Sequence, residues 1–357
     1  IPTVEGIYNI SAGFEATEVY NSSVSEIMVL TVNPINDTHD TNFIVLSDDN
    51  YFDYFDSEGI STVLSPSGNY IIEIDEINNK NIQILSGFNI TIRAKEGSGI
   101  INNGTIFVNG IDDDVESVII SGLTFNNTDD TAIEIGEYVS DINLTKNNIF
   151  VDGGSKSTGA YYSVYGINAN GFITSMNIED NNVTVVGTAS YSYAIQLGAY
   201  DASSNPRDVI IKNNVIVMNG TARSGMIEGI YLDWVINALV ENNNVDLCSI
   251  NDVYVYGIQI ADSSYLSIAE GNTDIMSPHN ILITSNNFTL NSEYMVYGIT
   301  VLDYGCDSSV NEYGQAKRNM LDLNTTICDN IIDAYSGRGL LGIVGNTYNM
   351  SVFGNNV

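Results

Sequence analysis

Short hydrophobic segments alternate with asparagine-rich turns along most of this chain. In each copy of the pattern a hydrophobic residue stands three positions before an Asn-Asn pair, and another follows the pair directly. The pairs are Asn147-Asn148, Asn181-Asn182, Asn213-Asn214, Asn243-Asn244, Asn286-Asn287 and Asn355-Asn356, and Asp329-Asn330-Ile331 is a looser copy. Such self-similarity is typical of a repeat protein, in which each repeat packs on its sequence neighbours.

A second phrase, a small residue followed by isoleucine, falls between the asparagine pairs. Its copies are Tyr165-Gly166-Ile167, Tyr193-Ala194-Ile195, Glu228-Gly229-Ile230, Tyr256-Gly257-Ile258, Tyr297-Gly298-Ile299 and Leu341-Gly342-Ile343. Hydrophobic and polar residues alternate from this isoleucine onward, as in Ile258 and Ile260. The same alternation follows the asparagine pairs, as in Val215 and Val217. A period of two residues predicts β-strands that bury one face.

The repeat length is irregular, which narrows the choice of fold. The second asparagines of successive copies lie about 34, 32, 30, 43, 43 and 26 residues apart. Helical repeats keep a nearly fixed length, whereas coils of short strands accept loops of different lengths. No segment of comparable length carries the 3.6-residue apolar stripe of a helix. The sequence therefore predicts an all-β protein, a right-handed parallel β-helix.

The asparagine pairs have a structural explanation in that fold. Asparagine tolerates the left-handed backbone conformation that a sharp turn needs, and its amide bonds readily to nearby backbone. Coils stack at about 4.8 Å, so identical amides in successive coils can form a hydrogen-bonded ladder inside the solenoid. The predicted ladder residues are Asn148, Asn182, Asn214, Asn244, Asn287, Asn330 and Asn356.

The first part of the chain lacks the repeat phrases. We therefore expect residues 1–65 to form an N-terminal extension and cap, and residues 66–357 to form the β-helix. Residues 50–59 suit a short helix that covers the first coil, because an open coil would expose unpaired strand edges. The chain begins without a signal peptide and ends within the repeat pattern, as expected for a segment of a longer protein.

The charge of the chain limits its partners. Its 357 residues include 11 Lys and Arg against 44 Asp and Glu, a net charge of −33. Nucleic acids and anionic membranes need a cationic surface, so neither is an expected partner. The apolar runs are far shorter than the roughly 20 residues that span a bilayer, which argues against direct membrane insertion by this segment.

The scarcity of Cys and His excludes several kinds of site. Three cysteines are too few for a disulfide framework, and two histidines leave little for a His-rich metal centre or a Ser-His-Asp triad. Acidic runs at residues 48–49, 112–114 and 129–130 leave calcium as an open alternative, although none has the spacing of a known calcium loop. No other cofactor is expected.

Two long insertions, at residues 262–280 and 303–322, follow the Gly-Ile strand in successive coils and should lie side by side. Loops on a rigid scaffold often carry binding residues, although such insertions can also be inert decoration. The predicted ligand-facing residues are Tyr265, Asp274, His279, Asp307, Tyr313, Lys317 and Arg318.

The tyrosines that precede the glycines invite the hypothesis of an aromatic binding stripe, but strand geometry argues against it. In a straight strand each tyrosine lies on the same side as the isoleucine two residues later, which is the interior. The outward residues of this strand are then Asn168, Gln196, Tyr231, Gln259 and Thr300, a polar surface suited to glycans.

Several Asn-x-Ser/Thr sequons permit glycosylation. The predicted acceptors are Asn89, Asn103, Asn126, Asn143, Asn219 and Asn324. Asn182 and Asn287 also have the sequon, but a place inside the ladder would leave no room for a glycan. We therefore expect those two to be unmodified.

The Asn-rich coils, the Tyr-Gly-Ile phrases and residues 50–59 ahead of Asn89-Ile90-Thr91-Ile92 resemble the adhesin-like surface proteins of methanogenic archaea. Those proteins carry right-handed β-helix repeats on the cell exterior. The resemblance extends from about residue 43 onward. It implies a place on the cell surface or in the cell wall, and attachment to a glycan or a protein of another cell. It brings no catalytic residues with it.

Two other functions stay open beside a non-enzymatic adhesin or wall protein. One is a polysaccharide lyase or glycosidase, for which Asp262 and Asp303 are the best residues. They hold equivalent places in successive coils and should lie about 5 Å apart, a separation found in retaining glycosidases. Against this, the basic residues that would bind an anionic substrate are scarce. The other alternative is a viral fibre, which would be trimeric.

Overall fold

The computed structural model describes residues 6–10, 13–14, 23–24, 28–32, 41–110, 114–128, 130–153, 162–187, 189–198, 206–220, 225–233, 235–262, 280–303, 324–345 and 350–357. The chain divides into two compact units, residues 1–40 and 41–357. In the first unit, strand β1 (Gly6–Ile10) pairs antiparallel with β4 (Met28–Val32), and β2 (Gly13–Phe14) pairs antiparallel with β3 (Ser23–Val24).

The second unit is built almost entirely of short strands. They are β5 (Thr41–Leu46), β6 (Asn69–Ile74), β7 (Glu76–Asn78), β8 (Ile82–Ile84), β9 (Asn89–Ala94), β10 (Ile100–Asn102), β11 (Ile106–Val108), β12 (Val115–Ser121), β13 (Thr124–Thr128), β14 (Thr131–Ile135), β15 (Val139–Thr145), β16 (Asn148–Asp152), β17 (Ser163–Asn170), β18 (Ser175–Glu179), β19 (Asn182–Gly187), β20 (Tyr191–Gly198), β21 (Arg207–Lys212), β22 (Val215–Gly220), β23 (Gly225–Asp233), β24 (Ile236–Glu241), β25 (Asn244–Ser249), β26 (Val253–Asp262), β27 (Ile281–Thr284), β28 (Asn287–Ser292), β29 (Met295–Asp303), β30 (Thr325–Cys328), β31 (Ile331–Ser336), β32 (Gly339–Gly345) and β33 (Ser351–Phe353). In the described part of this unit, one 3-10 turn, Tyr51–Asp53, interrupts the strands.

These strands form three long parallel sheets. Sheet 1 has 11 strands, β5 and β6 followed by every third strand from β9 to β33. Sheet 2 has nine strands, every third from β7 to β31, and sheet 3 has nine, every third from β8 to β32. A complete coil thus contributes one strand to each sheet in turn. This arrangement confirms the predicted parallel β-helix.

The solenoid begins before the predicted start at residue 66. Strand β5 already pairs in parallel with β6. The predicted short helix within residues 50–59 is the 3-10 turn, whose Tyr51 is buried beside Phe55 with ring centroids 5.3 Å apart. Because Phe55 also belongs to the continuous core, this segment covers apolar surface of the first coils.

The core consists of like side chains stacked in register. In sheet 3, Ile167 pairs with Ile195, Ile195 with Ile230, Ile230 with Ile258 and Ile258 with Ile299, and all five are fully buried. Burying one such side chain stabilises the fold by roughly 1.5–3 kcal/mol. Equivalent stacks line sheets 1 and 2, so the interior is an apolar column along the axis.

An asparagine ladder lies inside the turn between sheets 1 and 2. Its members are Asn147, Asn181, Asn214, Asn243, Asn286, Asn330 and Asn355. Asn243 shows the pattern. Its Oδ1 accepts the backbone N–H and the Nδ2 amide of Asn214, at 3.0 and 2.9 Å. Its own Nδ2 donates to Asn286 Oδ1 and to the carbonyl of Ile211, both at 2.9 Å. The buried amides are therefore paired, as burial of polar groups requires.

The predicted ladder was wrong by one residue at five of its seven positions. Asn214 and Asn330 are ladder members, but the other five are exposed. Asn148, Asn182, Asn244 and Asn287 begin strands of sheet 2, and Asn356 forms an isolated bridge to Ile331 of β31. The reason is the turn. The residue before each ladder asparagine takes the left-handed conformation, as at Lys146 (φ 58°) and Asp180 (φ 59°), so the ladder residue comes second in the turn and the strand begins with the third.

The position of the left-handed residue also explains why the predicted buried residues were wrong in one coil. At Asn213 (φ 57°) an asparagine itself occupies the left-handed position, so the pair Asn213-Asn214 lies one place earlier relative to its coil than the other pairs. Val215 is consequently 40% exposed, and Ile216 and Met218 are the buried residues of that strand. The predicted inward pair Val215 and Val217 was wrong.

We predict that Asn243→Ala destabilises the protein by about 3 kcal/mol or more. The substitution leaves buried donors of Asn214 and the carbonyl of Ile211 without their partner, and each such group costs about 1–3 kcal/mol. Urea unfolding followed by circular dichroism measures the loss. The matched control is Asn244→Ala, which removes an exposed side chain and should cost less than about 1 kcal/mol. Equal losses in the two variants would contradict the ladder assignment.

Candidate ligand-binding face

The tyrosines of the Tyr-Gly-Ile phrases lie on the outer face of sheet 3. Val164 and Ile167 are both fully buried, and Tyr165 between them is half-buried. A Cβ atom on Gly166 would lie 2.4 Å from Cγ1 of the core residue Val183, so Gly166 faces inward as well. The strand thus bends at the glycine, and the inward tyrosines predicted from a straight strand were wrong.

A small residue is needed at this bend because the coils approach closely. A Cβ atom on Gly257 would lie 2.5 Å from the carbonyl oxygen of Gly298 and 2.9 Å from Cδ1 of Phe288. Both separations are shorter than real contacts of a Cβ atom. The small residue of the repeated phrase is therefore a requirement of coil packing, and the residue before it is turned outward.

The outward residues form a column, which we call the tyrosine column. Its members are Tyr165, Tyr193, Glu228, Tyr256 and Tyr297, which are successive partners in the register of sheet 3. The rings of Tyr165 and Tyr193 are stacked with centroids 5.2 Å apart, and those of Tyr256 and Tyr297 with centroids 4.6 Å apart. Stacked and offset rings of this kind stabilise each other. The column presents half-buried phenol groups along the axis.

An aromatic cluster extends the tyrosine column at its C-terminal end. Tyr254 meets Tyr294 edge to face, with centroids 4.8 Å apart, and lies 6.3 Å from the ring of Tyr297. The guanidinium of Arg338 lies 4.6 Å above the ring of Tyr294, a cation–π contact, and 3.7 Å from the carboxylate of Asp252. Tyrosine and arginine are typical of binding surfaces.

Glu228 interrupts the tyrosine column. It stands between the register partners Tyr193 and Tyr256, is 1% exposed, and its Oε2 has no hydrogen-bond partner among the described residues. Burial raises the pKa of this carboxyl to about 8, so the acid is mostly neutral at pH 7. The sequence carries a signal for it, because Glu228-Gly229-Ile230 is the copy of the phrase with an acid in place of tyrosine.

The polar residues predicted to face outward form a second column beside the first. Their register is as expected, since Asn168 pairs with Gln196 and Gln259 pairs with Thr300. They are less accessible than predicted, because Asn168, Gln259 and Thr300 are all buried. Thr300 Oγ1 lacks a partner within the described part of the chain. The accessible part of this face is therefore more aromatic than predicted.

The two long insertions leave sheet 3 at equivalent points. Asp262 and Asp303 are register partners at the ends of β26 and β29, as the sequence predicted. Their side chains lie outside the described residues, as do all seven predicted ligand-facing residues, namely Tyr265, Asp274, His279, Asp307, Tyr313, Lys317 and Arg318.

The predicted glycosylation acceptors lie on the outside of the coils. Asn103, Asn219 and Asn324 are exposed, and Asn89, Asn126 and Asn143 are half-buried. Several belong to outer amide ladders, as where Asn103 Nδ2 donates to Asn79 Oδ1 at 2.9 Å. Asn182 and Asn287 are exposed too, so the expectation that the ladder would shield them was wrong.

Acidic side chains elsewhere are mostly paired or dispersed. Asp48 accepts from Lys80 at 2.7 Å and from the side chain of Asn78 at 2.7 Å. Within the described ranges, no group of three or more His, Cys, Asp or Glu side chains is placed to hold a metal ion. The thiols of Cys248 and Cys328 are free. Over the same ranges, no helix has the length and apolarity to cross a membrane.

Comparisons with known proteins find no relative of this chain. No family model matches the chain, and neither the curated proteins nor the solved structures contain a match.

We predict that Glu228 makes stability fall as pH rises. Its pKa is about 4.5 in the unfolded chain and about 8 in the fold, so its contribution is complete below pH 4.5 and is lost as pH rises to about 8. Glu228→Gln should match the wild type near pH 4 and exceed it by a few kcal/mol near pH 8. Thermal unfolding across this range measures the difference. Glu116→Gln, at an exposed site on β12, is the control and should show no such crossover.

Proposed function

We propose that the protein is a non-enzymatic attachment protein of the cell surface or cell wall, and that it binds glycans of another cell through the outer face of sheet 3. The observation that carries the proposal is the tyrosine column. Aromatic side chains at regular spacing, next to amides and hydroxyls, match the alternating apolar and hydroxyl-bearing surfaces of a sugar chain. The resemblance of the sequence to adhesin-like archaeal proteins supports the extracellular placement.

The scaffold suits such a role. Each tyrosine is fixed by a strand whose backbone pairs on both sides and whose inward neighbours are fully buried. A binding group held by a rigid element loses little conformational entropy when a ligand binds. The column also repeats at the spacing of the coils, so one face can contact several units of an extended chain.

The charge of the protein points to the class of glycan. A net charge of −33 repels acidic polysaccharides, while the tyrosine column itself carries no charge when Glu228 is neutral. The proposed ligand is therefore a neutral or amine-bearing glycan.

A glycosidase or lyase is the second candidate function. The paired positions of Asp262 and Asp303, and the neutral acid Glu228 on the same sheet, are the observations that favour it. Adjacent strands are about 4.8 Å apart, which fits the carboxylate separation of a retaining enzyme. Glycan cleavage that Asp303→Asn abolishes would decide for the enzyme.

We predict that a glycan array incubated with the 357-residue chain shows binding without release of shortened products. Tyr256→Ala and Tyr297→Ala should each weaken that binding by about tenfold, equivalent to about 1.4 kcal/mol, because each removes one ring of a stacked pair. Tyr335→Ala is the control, since Tyr335 is 60% exposed on sheet 2, away from the column. Full binding by both column variants, with their fold intact by circular dichroism, would contradict the proposal.

A further inference from the structure

A groove opens on the outer face of sheet 3 at its N-terminal end. Its volume is about 320 Å³, and its lining includes Asn81, Gln83, Thr105, Phe107, Asp130 and Glu134. The groove adjoins the tyrosine column, because Thr131 on its wall is the register partner of Tyr165. Its volume lies within the range of small-ligand sites.

The lining combines an aromatic ring with neutral polar groups. Phe107 is half-buried and is the register partner of Gln83 on one side and Glu134 on the other. Among the described contacts, Gln83 uses its amide nitrogen to donate to the carbonyl of Glu58 at 2.7 Å, and Asn81 uses its amide oxygen to accept the N–H of Thr105 at 3.0 Å. The Gln83 oxygen and the Asn81 nitrogen are thus left to bind hydroxyl groups.

The groove is also electronegative. Burial and the nearby charge of Asp130 raise the pKa of Glu134, so the two carboxyl groups repel each other in a partly desolvated site. Lys80 precedes the lining residue Asn81 in the sequence. It forms an ion pair with Asp48 at 2.7 Å. A positively charged group in the groove would relieve this repulsion.

We propose that the groove binds an amine-bearing sugar unit of the glucosamine type, with its ring against Phe107 and its ammonium group at Glu134. This inference rests on the proposed function, which it deepens by naming the class of sugar. A lysine side chain would pair with Glu134 but would leave Asn81, Gln83 and Thr105 unused. A sugar unit uses the ring, the amides and the charge together.

The test is isothermal titration of the 357-residue chain with three probes. These are a trimer of glucosamine with free amines, the fully N-acetylated trimer, and trilysine, all at a pH at which the amines are charged. We expect the glucosamine trimer to bind at least tenfold more tightly than either comparator. Phe107→Ala and Glu134→Gln should each weaken it by about tenfold, and Glu116→Gln, which removes an exposed acid on sheet 1, should not.

Each outcome supports or overturns the proposed sugar site in the groove. Equal binding of trilysine, or binding of the glucosamine trimer that neither Phe107→Ala nor Glu134→Gln weakens, would overturn the inference, because net charge alone would then explain the affinity. Binding of neutral glycans that depends on Tyr256 and Tyr297, without binding of the glucosamine trimer, would overturn it while the proposed attachment function stands. Absence of binding to every glycan would overturn both. Thermal unfolding verifies that both groove variants are folded, and Glu134→Gln still tests the site if Phe107→Ala is unstable.

Discussion

From Asn147 onward the register of the coils depends on one constraint, that each buried amide of the asparagine ladder finds its partner in the next coil. Two donors of one asparagine, its backbone N–H and its Nδ2, converge on the single Oδ1 of the next, as from Asn181 to Asn214 at 3.0 Å each. A slip of one residue in any coil would leave these donors buried without an acceptor, and would also turn that coil's hydrophobic residues outward. The ladder thus sets the register that the apolar stacks and the outer columns share.

The length of the coils varies at a different corner from the turn that holds the ladder. Ladder members are separated by 29 residues in one coil and by 44 in another, yet their bonds have the same geometry. The additional residues of the long coils enter after the ends of β26 and β29, between sheet 3 and sheet 1. In these two coils the additional length therefore follows the sheet 3 strand, while the turn of the ladder is short. The insertions and the ladder lie at different corners, so the length of a coil can change while its register stays the same.

Much of this was predictable from the sequence, because period-two alternation and repeated asparagines are direct signs of stacked strands. The parallel β-helix, the existence of a ladder and the pairing of Asp262 with Asp303 all follow from spacing alone. The ladder positions did not, since Asn147 and Asn148 are identical in chemistry and only the left-handed backbone of Lys146 decides which of them turns inward. The outward tyrosines were also not predicted. In a straight strand, residues two apart face the same side, but the bend at Gly166 changes which side Tyr165 faces and leaves the alternation on either side of it unchanged. The groove joins residues from three coils, which no local pattern reports.

Every link of the asparagine ladder runs the same way, with the Nδ2 of one coil donating to the Oδ1 of the coil that follows it, from Asn147 to Asn355. The side-chain dipoles therefore add instead of cancelling, and each polarises the next. The ladder therefore has a net dipole along the axis of the solenoid. The nitrogen ends of the amides point toward the C-terminal coils and the oxygen ends toward the N-terminal coils. In this respect the stack of side chains resembles the aligned peptide groups of an α-helix, in a protein built of strands.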